Sequence, residues 1–379
     1  MTPISLFLGQ IDALDQSIAD TSDLLDRVGR MQTPISDLLR RVRGRFSNDL
    51  LGLQKSCAEI RARARGGNAA ENDLGNLAQL ERKVLDTLRE CLAFLEGAST
   101  RAAGIDGGIC QIADAMLYQL SRSNDLGWER FTLVAVGEFI SARSGIVRLR
   151  FTDTRIWNLP VAAHEFGHYV SGLPAFSDFQ DAATAAKRLD SRYDAHLGEL
   201  FSDLFATYVM GPCYLLNCAL LRFGLSNAAQ ESNTHPSNAQ RVWWMMETLA
   251  KMDDRAWPLY KDLLTQVKGV WADAVEAAKL GPLTDAETTR LRRWLQDLYD
   301  LLDSRLPNAK YGKWLRAQEI SQSLRDNKAP QLRPDDSIPD VLNGAWLYRL
   351  QAADANGFAL NQAAKTALDL CTAIGNGPL

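Results

Sequence analysis

Apolar positions recur every three or four residues over most of this chain, the spacing of a helix that buries one face. Leu74, Leu77, Val84, Leu88, Cys91 and Leu95 form one such stripe, interrupted only by Glu81. Leu8, Ile11, Ile18, Leu25 and Val28 form an earlier one. GGNAAEND at 66–73 and the glycines at 104, 107 and 108 read as turns. Residues 1–125 are therefore expected to fold as an antiparallel helical bundle. The texture then changes. FTLVAVGEF at 131–139 and GIVRLRF at 145–151 are β-prone runs separated by a short Ser/Arg/Gly turn. Helical spacing returns after Pro160, and Leu291, Leu295, Leu298 and Leu302 mark a C-terminal helical domain over 256–379. The pattern predicts a mainly α (α+β) protein with a small sheet in a central region, 126–255, flanked by helical regions.

Composition narrows the class. At 379 residues, 46% apolar and 23% charged, the chain has the make-up of a soluble globular protein with room for more than one domain. The net charge of −4 points to no polyanionic partner, and nucleic acid is not expected. The most apolar stretch, 209–225, is broken by Gly211, Pro212, Asn217 and Arg222, so no membrane span is expected. MTPISLFLGQIDALDQ lacks the basic start of a secretory signal, and the six cysteines are scattered without a CxxC pair. Reduced thiols and a cytoplasmic location follow as expectations. Between Arg27 and Arg65 ten basic residues face three acids, a surface for an acidic partner or a solvated helix face.

The chemistry sits in VAAHEFGHYVSG at 161–172. On a helix, His164 and His168 share a face, so both imidazoles can reach one metal ion. Glu165 lies one position along, suited to hold a water rather than the metal. Zinc matches nitrogen and carboxylate ligands in a tetrahedral set with one open position. Gly167, costly inside a helix, suggests that substrate or a neighbouring strand approaches the backbone there. The third ligand is expected on the next strong helical pattern, AHLGELFSDLFATYVMGP at 195–212, where Glu199 and Asp203 share a face beside Leu200, Leu204 and Val209. Carboxylates in such a setting need a metal or a partner. Glu199 as ligand, with Asp203 behind a ligand histidine, satisfies both. His196 shares the Glu199 face and stands behind the ligands, touches substrate or starts the helix. His235, in SNTHPSNAQRVWWM, lies in a loop entering a helix, with Pro236 suited to a first helical position.

HEFGH at 164–168, ELFSD at 199–203 and THPSNAQR at 234–241, in this order, resemble the gluzincin metallopeptidases, particularly the CAAX prenyl endopeptidase and heat-shock HtpX-like group. The likeness covers about 160–245, a fifth to a quarter of the chain. It implies a zincin-like core in the central region and a Zn²⁺ cofactor held by His164, His168 and Glu199. It also places Glu165, His235 and Arg241 in catalysis: Glu165 as base, His235 contacting substrate or the oxyanion, and Arg241 supporting them. A protein or peptide substrate would pair with an edge strand above the metal helix, for which 145–151 is the candidate. A tyrosine such as Tyr208 could also serve the oxyanion. Two other readings use the same residues: a metal-dependent hydrolase of a non-peptide amide, and a helical scaffold or regulator whose zincin core only binds. Glu165 argues against the last, since mere binding needs no base.

Overall fold

The computed structural model describes residues 3–30, 36–66, 71–128, 131–135, 139–141, 146–150, 155–224, 228–253, 258–277, 283–352 and 357–376. Three long helices open the chain: α1 (Pro3–Gly29), α2 (Ser36–Arg65) and α3 (Glu71–Ala102). Their stripes meet in one apolar core, with Ile11, Ile18 and Leu25 facing Phe46, Leu50, Ile60, Leu77, Val84 and Cys91. The basic residues of α2 have part of their acidic complement on α1. Arg61 pairs with Asp12 at 3.0 Å and Asp15 at 2.8 Å, and Arg43 lies 3.7 Å from Asp26.

After α4 (Ile109–Ser123) come three short strands, β1 (Thr132–Ala135), β2 (Phe139–Ser141) and β3 (Ile146–Arg150). They form one mixed sheet in the order β1-β3-β2, with β1 parallel and β2 antiparallel to β3. The run 131–139 is therefore not one strand but parts of two, and β3 is the central strand. Both edges of β3 are occupied, so Ile146–Arg150, the described part of the run 145–151, has no edge to offer a substrate. The expected turns at 142–145 and 67–70 lie outside the described residues. Alternation along β3 divides the protein's interior. Ile146 joins the core of the three-helix bundle, and Arg148 reaches the Glu90 carbonyl on α3. Val147 and Leu149 join the second core.

That second core takes in the rest of the chain: α5 (Val161–Ser171), α6 (Ser177–Leu189), α7 (Tyr193–Met210), α8 (Pro212–Asn217), α9 (Asn238–Met252), α10 (Lys261–Ala277), α11 (Asp285–Arg305), α12 (Trp314–Arg325), α13 (Ile338–Gln351) and α14 (Gly357–Gly375). The protein is mainly α with a small β-sheet. The apolar face of α4, with Ile109, Ile112, Met116 and Leu117, belongs to this second core, as do Leu291, Leu295, Leu298 and Leu302. All six cysteines are buried and none forms a disulfide. No helix among the described residues is long and apolar enough to cross a membrane.

A close helix crossing in this core decides where the chemistry can be. A Cβ on Gly167 of α5 would lie 2.8 Å from the Ser202 Cα of α7 and 3.2 Å from its Cβ. The glycine admits another helix, not a strand or a substrate. Because the contact is with backbone-proximal atoms, a methyl group cannot be accommodated by rotamer changes. Gly167→Ala is expected to destabilise the protein by ~1–3 kcal/mol, seen as a lower urea midpoint at unchanged m-value.

Candidate metal centre

The residues three and four apart on α5 and α7 form matching triplets, His164, Gly167 and His168 against Glu199, Ser202 and Asp203. With Gly167 and Ser202 in contact at the centre, the histidines must face the carboxylates. His164 Nε2 lies 3.4 Å from Glu199 Oε2, and His168 Nε2 lies 3.4 Å from Glu199 Oε1. Ligand atoms from these three residues all fall within 4.8 Å of one another.

The spacing tests whether a metal fits. A good N–H···O hydrogen bond spans about 2.7–3.2 Å, shorter than either separation. Zinc bonds of about 2.0–2.1 Å at tetrahedral angles set ligand atoms about 3.3–3.4 Å apart. Each histidine nitrogen is thus too far from its Glu199 oxygen for a strong direct bond, and the two separations, to different oxygens of the carboxylate, match the spacing of ligands that share an ion. Two imidazole nitrogens and one carboxylate also form the chemical set that zinc accepts.

Behind the ligands, Asp203 is fully buried and heavily bonded. Arg241 donates from Nε to Oδ2 at 2.7 Å and from Nη2 to Oδ1 at 2.8 Å, a bidentate pair. The Tyr214 hydroxyl donates to Oδ1 at 2.6 Å, and His164 Nδ1 lies 3.0 Å from the same oxygen. The neighbours of His164 Nδ1 are this carboxylate and the Tyr214 oxygen, at 2.9 Å. One imidazole proton therefore belongs on Nδ1, which leaves Nε2, on the Glu199 side, to carry either a second proton or an ion.

Electrostatics agree with this arrangement. Burial opposes a charge on His164, but Asp203 and Glu199 outweigh it and raise its pKa to about 9. Burial likewise opposes ionisation of Glu199, yet the two histidines and Arg241 hold it well below the usual carboxylate range. Against complete burial, Arg241 and His164 keep Asp203 ionised, with a pKa of about 2. Exposure grades outward, from Asp203 at 0% through Glu199 at 12% and His168 at 26% to His235 at 53%, so the group opens on the His168–His235 side. Glu165 is buried on α5, between the two histidines in sequence.

His235 reaches this mouth from the loop before α9. Ser232 Oγ accepts from its backbone N–H at 2.9 Å, Thr234 Oγ1 lies 2.8 Å from Nδ1, and Nε2 stands 3.5 Å from Glu199 Oε1. Burial and Arg241 lower its pKa against the pull of Glu199. The loop is fastened at Glu231 and Ser232. Nε2–H of His196 donates to the Ser232 carbonyl at 2.8 Å, while Gln240 donates to Glu231 at 2.6 Å. Ser237 caps α9 in a capping box with Gln240, so Pro236 precedes the cap and is not the first helical residue.

The structure thus brings His164, His168, Glu199, Asp203, Arg241 and His235 together and places His196 against the loop backbone. Tyr208 is not among them, because its hydroxyl donates to Asp303 of α11 at 2.6 Å. The residue that sequence reasoning missed is Tyr214. It lies three helical turns past Asp203, but beyond Gly211 and Pro212, where a continuous helix is not expected. No family model, curated protein or solved structure matches the chain.

Two outcomes follow. Arg241→Ala leaves a buried carboxylate without its main partner and is expected to cost ~3–5 kcal/mol, read by denaturant unfolding. Adding Asp203→Asn should recover part of that loss. A cation bound by these ligands displaces the His164 proton, because that pKa of about 9 lies above neutrality. Uptake near neutral pH is expected to release about one proton per ion, measured calorimetrically in buffers of different ionisation enthalpy. Affinity should rise with pH and level off above about 9.

Proposed function

We propose that the protein is a zinc-dependent endopeptidase, with His164, His168 and Glu199 holding the metal and Glu165 acting as general base. The observation that carries this reading is the convergence of two imidazole Nε2 atoms on one carboxylate at 3.4 Å, a separation suited to sharing an ion. The order HEFGH, ELFSD and THPSNAQR supports it as a resemblance to the gluzincin peptidases.

Zinc, when bound, supplies Lewis acidity, polarising a carbonyl and making water more acidic. The remaining roles belong to the chain. Glu165 takes a proton from the attacking water on its carboxylate and delivers it to the departing amine nitrogen. His235 donates from Nε2 toward the carbonyl oxygen as negative charge develops there, with Nδ1 oriented by Thr234. Arg241 reaches both carboxylates, pairing with Asp203 and lying 3.4 Å from Glu199, and so keeps their charges in place. An extended peptide pairs with β2, the strand opposite β1 in the sheet, and its main-chain groups run past α5.

Glu165→Gln removes the base without removing a ligand. It is expected to retain zinc and the fold while lowering peptide cleavage by ~10²–10⁴-fold. His164→Ala, His168→Ala and Glu199→Ala should lose the metal itself. Elemental analysis and cleavage of a peptide library, run on all four variants, check both parts. Normal cleavage by Glu165→Gln, or full zinc in Glu199→Ala, contradicts the corresponding assignment.

A further inference from the structure

Asp203 and Tyr214 are eleven residues apart, which on a continuous helix would separate them by ~16 Å along the axis. Their oxygens are 2.6 Å apart. The chain therefore turns back between them, and the means are visible. α7 stops at Met210, and Gly211 adopts φ 66° and ψ −151°, backbone space that side-chain-bearing residues avoid. A Cβ there would also lie 2.4 Å from the Tyr311 ring. Pro212 then starts α8 in the position where its missing N–H is harmless. Fully buried Asn343 of α13 holds both sides of the corner. Its Nδ2 donates to the Met210 carbonyl at 2.7 Å, and its Oδ1 accepts from the Cys213 N–H at 2.8 Å.

We infer that this corner makes Tyr214 a positioning residue for the metal centre, an assignment that rests on the zinc reading above. Its hydroxyl oxygen offers His164 Nδ1–H a second acceptor at 2.9 Å, beside Asp203 at 3.0 Å. The phenol's own proton goes to Asp203 Oδ1. The tyrosine ring lies nearly parallel to the imidazole, 16° off with centroids 6.0 Å apart. Asp203 alone could accept the Nδ1 proton with the ring in several orientations. With Tyr214 present, both the proton and the ring plane are fixed, and Nε2 is aimed at the point it shares with His168 and Glu199. The C-terminal helices thereby become part of the centre's support, since Tyr311 and Asn343 hold the corner from outside.

The test measures ion binding, not turnover. Metal-free full-length protein is titrated with Zn²⁺ and with Co²⁺ against a competing chelator, and the visible bands of the cobalt form are recorded. Tyr214→Phe keeps the volume and removes one oxygen. It is expected to weaken binding ~10–100-fold, the range for outer partners of ligand histidines, and to shift the cobalt bands. Tyr208→Phe removes a hydroxyl from an equally buried tyrosine outside the centre, and should keep wild-type affinity and bands. If Tyr214→Phe does not fold, Asn343→Ser carries the same test, with a smaller loss of affinity expected. Wild-type affinity and cobalt bands in the folded Tyr214→Phe protein, while His164→Ala has lost the ion, overturn the inference and leave the zinc reading intact. A wild-type protein that takes up neither ion removes both.

Discussion

The contact between Gly167 and Ser202 sets the terms for the rest of the molecule. Two helices that are apolar over most of their surface would normally pack at 8–10 Å through large side chains. Here the absence of one side chain lets the backbones close in. The residues on either side of the contact are then pressed into the same small space. Any groups at those positions would meet, but only groups that attract one another would be stable there. Imidazoles opposite carboxylates satisfy that condition.

Such a meeting of charges in a dry interior needs balancing. Glu199 and Asp203 bring two negative charges and Arg241 one positive. A proton on His164 supplies the second positive charge, which is why its pKa rises despite burial. A divalent ion would take over that role and leave both histidines neutral. Arg241 is constant in both states, and its fork matches Asp203 geometrically as well as electrically. The same residue lies with its guanidinium carbon 4.9 Å from the centre of the Phe223 ring, so the buried charge also has an aromatic face against it.

Much of this was legible in the amino-acid order, and the limits are instructive. Helical stripes such as 291–302 were readable because one buried face repeats with the helix period. The pairs 164/168 and 199/203 were readable because four residues make about one turn, so sharing a face is a local property. Strand order was not local. The run from 131 to 139 looks continuous, yet β1 and β2 lie on opposite sides of β3, and no short-range preference encodes that. Gly167 announced a close approach, but the neighbour is a helix and not the substrate or strand expected there. Tyr214 was hidden for a similar reason, since the sequence shows a break at Gly211 and Pro212 but not the direction the chain takes after it.

The Asn343 clamp gives the protein a history as well as a shape. Its partner at Cys213 is 130 residues earlier in the chain. During synthesis, at about 5–20 residues per second, the clamp emerges some 6–26 s after the segment it holds. For that interval α5 and α7 exist without the Asn343 side chain that bonds both sides of the corner. The corner beside Tyr214 is in this sense completed late in translation, once residue 343 has been made.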